Sequence, residues 1–414
     1  MNNRKSIVYS VILILFLVLF FKWNLARWWI YSTGYNFLCI ELFLAYFLKK
    51  GHKFHEFILF PKVFKFLWVL IAINCLTCYI FRQQGIMVSL LGWESFFLLL
   101  YYPVFKSWNY SVKTWEKILF YVFIIVLLIY IDSNLFPDLE HFALDKSISF
   151  LEIEYRIRVY SDAILMIGAL FCWNKYLIFK DCSKLALFIL AFLLIFMQGY
   201  RILIASTFVV SVILYFRIYG FSKKSIIISL LFSLSMGASL YLPIVQDKIE
   251  EITNRTERDK EDAEDAVRAL DIAYVYNEHF NNPLEMIAGS GMTPLAINKY
   301  KNSDDVYIGK SLSKYSKYMS ELAMYNHFYT VDLGLWGLSW VAGIPFTLLF
   351  IALLVLIIRT KVSPEYYYIG MFAIASMLAG FTNALIYKHH NLIFLSLLLV
   401  ILDLAKKDYI NSKI

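Results

Sequence analysis

Apolar segments, each roughly long enough to cross a bilayer, follow one another along most of the chain. A transmembrane helix needs about 20 mainly apolar residues. By this criterion we predict twelve spans, at approximately Ser6–Phe21, Trp29–Leu48, Phe64–Ile80, Ile86–Phe105, Glu116–Ile131, Val159–Trp173, Ser183–Met197, Ile202–Phe216, Lys224–Leu242, Val331–Ile358, Tyr366–Ile386 and Asn391–Leu404. The pattern therefore predicts an all-α polytopic membrane protein.

One long polar stretch, from about Pro243 to Met324, interrupts this apolar pattern. Its first part repeats apolar residues at helical spacing, as at Val245, Ile249 and Ile252, so we expect it to be partly helical. These features divide the chain into three regions. They are an N-terminal membrane bundle of about nine spans (1–242), a large loop (243–330) and about three C-terminal membrane helices (331–414).

Composition and charge place this chain in a bilayer. Hydrophobic residues make up 60% of its 414 residues and charged residues 17%, with a mean hydropathy of +0.63, which excludes an ordinary soluble domain. If Arg4 and Lys5 are cytoplasmic, about 21 basic residues fall in cytoplasmic segments and about eight in short external ones. We therefore expect both termini in the cytoplasm and the long loop outside it. The net charge of +8 then reflects lysines beside membrane lipid, and we expect no nucleic-acid partner.

The cysteines and acidic pairs give no sign of a metal or cofactor site. Cys75 and Cys78 have CxxC spacing but fall within a predicted span, where packing is the usual role. Asp304 and Asp305 are adjacent and are interpreted as solvated carboxylates. The first span lacks a small-residue cleavage site and is interpreted as a retained anchor. We expect no disulfide, no metal and no cofactor.

Two external segments carry arginines that allow two interpretations each. Arg156 and Arg158 alternate with Glu152 and Glu154, either as an exposed salt-bridged face or as an arginine pair that binds phosphate at the membrane surface. In the long loop, Arg268 has aspartates three residues away on both sides, which favours a local ion pair over a ligand contact.

A glycine pair and several tyrosines lie towards the end of the long loop. Gly289-Ser290-Gly291 predicts a tight turn or a close backbone approach. The tyrosines that follow, among them Tyr329, suit either an interfacial belt or contact with a sugar.

Arg201 is the first candidate for chemistry. It follows Tyr200 between two apolar spans with hardly any loop, so its guanidinium lies at the external interface or leads inward. An arginine at a helix centre costs about 2.5–3.5 kcal/mol on insertion scales, so membrane-level charges usually have a partner or ligand. Besides snorkelling, the guanidinium fork can bind the oxygens of a pyrophosphate.

Histidines provide the second group of candidates. His327 follows Asn326 at the end of the long loop, where imidazole can accept a proton from a hydroxyl or donate a hydrogen bond to phosphate. Lys388 and His389 lie between the last two spans, where they either line the same cavity or anchor the interface.

Three local motifs in this order resemble the O-antigen polymerase (Wzy) and O-antigen ligase superfamily, whose members are bacterial inner-membrane proteins with one large periplasmic loop. They are Gly199-Tyr200-Arg201 at the start of a span, the Gly289-Ser290-Gly291 turn, and Asn326-His327 followed by Asp332-Leu-Gly334-Leu-Trp-Gly337. In that family asparagine often follows the histidine, whereas Asn326 precedes His327 here. This departure favours a polymerase over a ligase.

The resemblance implies a membrane-embedded, GT-C-like glycosyltransferase that acts on undecaprenyl-pyrophosphate-linked oligosaccharide repeat units. The growing glycan would be transferred to the non-reducing end of an incoming unit, without a metal. Arg201 would stabilise the departing pyrophosphate and His327 would activate the acceptor. Substrate contacts would come from Arg156, Arg158, Tyr200, Arg268, Asn326, Tyr329, Lys388 and His389. A polysaccharide chain-length regulator is a further expected partner.

Other classes of membrane protein remain open from the sequence. A ligase would use the same lipid donor and another acceptor, and a flippase or transporter for lipid-linked sugars would also have about twelve spans. A structural or sensory protein with a partner-binding loop is the third alternative. Transporters usually carry internal repeats and charges deep in their spans, and this chain shows no convincing repeat.

Overall fold

The computed structural model describes residues 3–19, 59–82, 86–135, 144–148, 155–159, 162–197, 201–223, 226–227, 282–291, 334–381 and 389–413. Its principal helices, named in chain order, are α1 (Asn3–Leu19), α2 (Pro61–Arg82), α3 (Ile86–Gly92), α4 (Glu94–Phe97), α5 (Tyr101–Lys106), α6 (Val112–Leu135), α7 (Asp162–Phe179), α8 (Cys182–Met197), α9 (Arg201–Tyr219), α10 (Pro283–Ala288), α11 (Leu335–Ala342), α12 (Ile344–Arg359), α13 (Tyr367–Gly380) and α14 (His389–Asn411). Short 3₁₀ turns at Leu98–Leu100 and Pro364–Tyr366 precede α5 and α13.

Apart from α10, which lies in the long loop, these helices overlap the predicted spans, and two predicted spans fall outside the described residues. Trp29–Leu48 lies entirely outside them, and of Lys224–Leu242 only residues 226–227 are described, as helix. Among the described residues, three helical stretches are long and apolar enough to cross a membrane, Pro61–Phe81, Val112–Asp132 and Ile202–Tyr219. Shorter apolar helices are Ser95–Lys106, Ala163–Phe179, Cys182–Met197 and Ile344–Arg359. The described part of the chain is a helical membrane protein, as predicted.

The outer face of α2 shows why this chain needs lipid. Phe66, Val69, Ile73 and Leu76 recur every three or four residues and are 41–57% exposed, so they form one apolar stripe on the surface. The opposite face of α2 is buried in a core where aromatic rings meet edge to face. Phe346, for example, lies 4.8 Å from Trp93 and 5.0 Å from Phe96 between ring centroids.

Basic side chains gather at one end of the helical assembly, which we call the basic end. It is defined by Lys106, Lys113, Lys117, Lys175, Lys180 and Arg217. Contacts bring these positions together: Lys175 pairs with Glu116, Lys106 pairs with Asp403, and the guanidinium of Arg217 lies 4.1 Å from the ring of Tyr367. The first turns of α6 and α13 and the last turns of α7 and α9 therefore share this end.

The direction of each helix then fixes what lies at the opposite end. An α-helix rises 1.5 Å per residue, so the 19 residues of α9 place Arg201 about 28 Å from Tyr219. The hydroxyl of Tyr219 donates to the carbonyl oxygen of Leu177 at 2.5 Å, which holds the ends of α9 and α7 together. By the same reasoning α7, α9 and α14 begin at the opposite end.

Two predicted spans are not single helices. The span predicted over Ile86–Phe105 consists of α3, α4, a 3₁₀ turn and α5, and the span predicted over Val331–Ile358 is broken between α11 and α12. Gly343 forms the second break with a φ of +89°, a left-handed conformation that glycine adopts freely. Pro345 in the first turn of α12 lacks an N–H and is suited to a helix start.

A short β-hairpin follows α6, in a segment to which the sequence analysis assigned no element. Strand β1 (Leu144–Ile148) pairs antiparallel with β2 (Tyr155–Val159), and Asp145 lies opposite Arg158 while Ser147 lies opposite Arg156. Because strand positions alternate between faces, these four polar positions share one face of the hairpin. The hairpin connects the end of α6 to the start of α7, at the end opposite the basic one.

Candidate functional site at the end opposite the basic residues

Arg201 is the first residue of α9, so the helix starts as predicted. The buried hydroxyls of α9 find their hydrogen-bond partners within the helix, because they donate to backbone carbonyls of α9 itself. Thr207 donates to the carbonyl oxygen of Leu203 at 2.7 Å and Ser211 to that of Thr207 at 2.7 Å. Arg201 itself stands at the positive end of the helix dipole, where an anion is favoured.

His389 is the first residue of α14 and lies at the same end as Arg201. The direction of α14 is fixed by the ion pair between Lys106 and Asp403, which places its last part at the basic end. Lys388 precedes the first described residue of α14. Arg201 and His389 therefore begin two helices at the end opposite the basic one, where the positive ends of the helix dipoles suit an anionic ligand.

Arg156 and Arg158 occupy β2, four to six residues before α7 begins. Four residues of extended chain span at most about 14 Å, so the position of Arg158 is within that distance of the start of α7. The structure therefore brings the backbone positions of Arg156, Arg158, Arg201 and His389 to one end of the molecule. The strand register puts the position of Arg158 opposite that of Asp145.

The remaining predicted site residues lie outside the described residues. They are Tyr200, Arg268, Asn326, His327, Tyr329 and Lys388. Tyr200 immediately precedes Arg201.

The Gly289-Ser290-Gly291 motif is a close backbone approach, which was one of its two predicted roles. Asn282 caps α10 by accepting from the N–H of Leu284 at 3.2 Å, and Gly289 ends the helix with a φ of +78°. The N–H of Ser290 then donates to the carbonyl oxygen of Trp340 at 2.7 Å, and that of Gly291 to Val341 at 3.0 Å. This turn of the long loop is therefore docked on the break between α11 and α12.

Glycine is required on both sides of this crossing. A Cβ on Gly289 would overlap the carbonyl oxygen of Val341, and a Cβ on Gly343 would overlap that of Ile287. Both residues also have positive φ values, +78° and +89°. The two backbones can approach this closely only because neither position carries a side chain.

Asn74, on α2, completes this crossing and was missed by the sequence analysis. Its amide nitrogen donates to the carbonyl oxygens of Ala288 at 2.5 Å and Val341 at 3.0 Å, and its oxygen accepts from the indole nitrogen of Trp93 at 2.9 Å. The residue is completely buried. A single asparagine within an apolar span was the available signal, since a buried amide needs partners.

Asn391, in the first turn of α14, is a second missed residue. It is only 2% exposed, and within the part of the chain that the structure describes neither its amide nitrogen nor its oxygen has a hydrogen-bond partner. Leaving a buried polar group unpaired costs about 1–3 kcal/mol. Its unmet donor and acceptor would suit a ligand that offers both, such as a sugar hydroxyl.

A charged cluster at the basic end is separate from these residues. Lys175 lies 2.8 Å from one carboxylate oxygen of Glu116, and the hydroxyl of Tyr368 donates to the same carboxylate at 3.2 Å. Asn174 donates to the backbone carbonyl of Glu365 at 2.7 Å. The sequence analysis counted Lys175 among the cytoplasmic lysines and did not foresee that it is buried.

No group of three or more His, Cys, Asp or Glu residues that could hold a metal occurs within the described ranges. The cysteines Cys75, Cys78 and Cys172 are buried in the helical core. No protein-family model matches the chain, and no curated protein sequence does either.

Proposed function

We propose that this protein is an O-antigen polymerase, a glycosyltransferase that joins undecaprenyl-pyrophosphate-linked repeat units at the periplasmic face of the bacterial inner membrane. One observation carries the proposal: Arg201 and His389 begin two helices at the same end, opposite the basic end. A cation at the positive end of a helix is unfavourable by itself, and a bound anion relieves it. A lipid-linked pyrophosphate at membrane depth is an anion of the required kind.

The proposed membrane topology follows from the same arrangement. The basic end would face the cytoplasm under the positive-inside rule, with both termini on that side. The opposite end, with the β-hairpin and the long loop, would face the periplasm. Twelve spans in a GT-C-like arrangement are part of this proposal, because two of the spans fall outside the described residues.

The reaction would be a substitution at the anomeric carbon of the growing glycan. A hydroxyl at the non-reducing end of the incoming unit forms the new glycosidic bond, and the bond from the anomeric carbon to the pyrophosphate oxygen breaks. Undecaprenyl pyrophosphate leaves with the electron pair, and the hydroxyl proton passes to His327. Arg201 stabilises the charge that develops on the leaving pyrophosphate, where preorganised cations contribute most.

Arg156, Arg158, Arg268 and Lys388 are proposed to bind the phosphates, together with the histidine at 389. The hydroxyl-bearing part of the substrate would meet Tyr200, Asn326 and Tyr329. Asn391 fits this group of contacts, because its buried amide has an unmet donor and acceptor among the described residues. A chain-length regulator is the proposed protein partner.

Surface glycan displayed on a gel tests the proposal. Cells that carry Arg201→Ala or His327→Ala in place of the parent should show single repeat units attached to core, without a ladder. Arg217→Ala is the matched control, because Arg217 lies on the same helix at the basic end and stacks on Tyr367. Its ladder should match that of the parent. Unchanged ladders in both site variants would refute the site assignment.

A flippase for lipid-linked oligosaccharides is the second candidate, and the break between α11 and α12 favours it. Transporters often bind substrate at discontinuous helices. Here, however, the carbonyls near the break are occupied by Asn74, Ser290 and Gly291. Loss of a flippase would remove even the single repeat units from the surface, so the same gel separates the two functions. A ligase variant would likewise leave core without any unit, and polymer on the lipid carrier would identify it.

A further inference from the structure

The side chain of Asn74 connects three separate parts of the chain. It donates both amide hydrogens to backbone carbonyls, that of Ala288 in the long loop and that of Val341 at the helix break. Its oxygen accepts from Trp93, which follows α3. Both donors and one acceptor of the amide are therefore used, and the residue is fully buried.

This arrangement solves a specific problem of irregular backbone among apolar helices. Non-helical backbone at membrane depth is tolerated only where protein groups satisfy it. The N–H groups of Ser290 and Gly291 bond to Trp340 and Val341, so the loop turn and the helix break partly satisfy each other. The carbonyl of Ala288 depends on Asn74, which comes from a third element.

We propose that Asn74 is a positioning residue that fixes the long loop at the break between α11 and α12. Gly291, where the described part of the long loop ends, would then be held at a fixed point on this break. The anchoring is independent of any activity, whereas its effect on glycan synthesis rests on the proposed function.

Thiol labelling tests the anchoring without requiring any activity. Ser290 is 6% exposed, so a cysteine at that position should react slowly with a membrane-impermeant maleimide added from the loop side. Asn74→Leu, which has a similar volume and no polar atoms, should increase the labelling rate of Ser290→Cys by about tenfold, because the crossing loses the Asn74 bonds to Ala288 of the docked turn and to Val341 of the helix break. Leu284→Cys, on the exposed side of α10, should be labelled at the same rate in both backgrounds. Labelling of the native cysteines in the parent chain is subtracted.

Asn174→Leu is the matched control for the loss of a buried amide. Asn174 is as buried as Asn74 and also donates to two backbone carbonyls, those of Pro364 and Glu365, but at the basic end. It should lower the melting temperature without changing the labelling of Ser290→Cys. An equal increase in both variants would mean general loosening and would overturn the proposal.

Turnover in membranes tests the positioning role. With lipid-linked repeat units as substrate, polymer formed per molecule of protein should fall about tenfold in Asn74→Leu and stay unchanged in Asn174→Leu. If Asn74→Leu does not accumulate, Asn74→Asp takes its place, because it retains an acceptor for Trp93. Polymer formation should fall in that variant as well. Unchanged labelling, or increased labelling with unchanged turnover, overturns the proposal. If the parent itself makes no polymer, the proposed function fails while the labelling result stands.

Discussion

The ammonium nitrogen of Lys175 lies 2.8 Å from a carboxylate oxygen of Glu116, and each side chain is only 11% exposed. This pair joins α7 to α6. The hydroxyl of Tyr368 donates to the same carboxylate and adds α13. The ammonium also lies 5.2 Å from the centroid of the Tyr366 ring, a cation–π contact. Three helices therefore depend on one buried ion pair.

Removing one member of this pair should be more harmful than removing both. Lys175→Met leaves the Glu116 carboxylate buried without its cation and should reduce the free energy of unfolding by about 3–5 kcal/mol. The double variant Lys175→Met, Glu116→Leu should recover most of that loss. Thermal unfolding in detergent measures both effects. Lys117→Met, an exposed lysine on α6, is the control and should change little. Equal melting temperatures for Lys175→Met and Lys117→Met would contradict the prediction.

Alanine variants of Gly220 and Gly343 separate the cost of backbone strain from the cost of steric overlap. Gly220 has a φ of +71° with nothing within 4 Å of an added Cβ, whereas an added Cβ on Gly343 would overlap the carbonyl of Ile287. Gly220→Ala should cost about 1–2 kcal/mol from the left-handed conformation alone. Gly343→Ala should cost clearly more, because the docked turn must move. Comparable melting temperatures for the two variants would show that the crossing is loose.

The predicted spans and the described helices agree because length and apolarity are local properties of the sequence. The break at Gly343 was missed although Gly343-Ile344-Pro345 carries both a stop and a start signal, since the flanking residues are uniformly apolar. Only the docked turn from a distant part of the chain makes that break stable. The hairpin was missed for another reason: alternating charges at Arg156 and Arg158 have the period of a strand, but were interpreted only by their charge.

Asn391→Leu should have opposite effects on stability and on function. In the empty protein, leucine at this position removes an unpaired buried amide, so the melting temperature should be unchanged or higher. If the amide binds substrate, the same variant should shorten the glycan ladder. Ser396→Ala on the same helix is the control, because the Ser396 hydroxyl already bonds to the carbonyl of Leu98 at 3.0 Å. Ser396→Ala should lower the melting temperature slightly and leave the ladder unchanged. A shortened ladder in Ser396→Ala together with an unchanged ladder in the leucine variant of Asn391 would exclude a role for Asn391.

Asp181 should give stability that depends on acidic pH. It precedes α8 and accepts hydrogen bonds from the hydroxyl of Ser183 at 2.7 Å and from its N–H at 2.9 Å. These bonds to Ser183, the hydroxyl first, lower the pKa of the Asp181 carboxyl. Because the folded-state pKa lies below the unfolded one, the contribution is fully present above the unfolded pKa and is lost as pH falls through the folded value.

The measurement compares the parent with Asp181→Ala across pH. The difference in melting temperature should stay constant near neutrality and shrink as pH falls below about 4. Asp181→Asn retains a capping oxygen that does not titrate. The difference in melting temperature between Asp181→Asn and Asp181→Ala should therefore not shrink in acid. If it shrinks as much as the difference between the parent and Asp181→Ala, another group is titrating.

The candidate site was predictable only in part. Arg201 stood out because a charge between two apolar spans is expensive, and the structure makes it the first residue of a helix. Asn74 and Asn391 were not predicted, because a neutral amide within a span barely changes local hydropathy. The role of Asn74 depends on Ala288 and Val341, which are hundreds of residues away along the chain.

The docked turn at Gly289 also determines how the loop can change in length. Residues 292–333 leave from Gly291, which is bonded to Val341, and return at Gly334, about 10 Å of helix from Val341. Gly291 and Gly334, which flank this segment, are therefore held close together. Since each doubling of a loop costs only about 0.6 kcal/mol in closure entropy, insertions between these two glycines should cost little stability. Insertions between Ala288 and Gly291 would instead disrupt the docked turn itself.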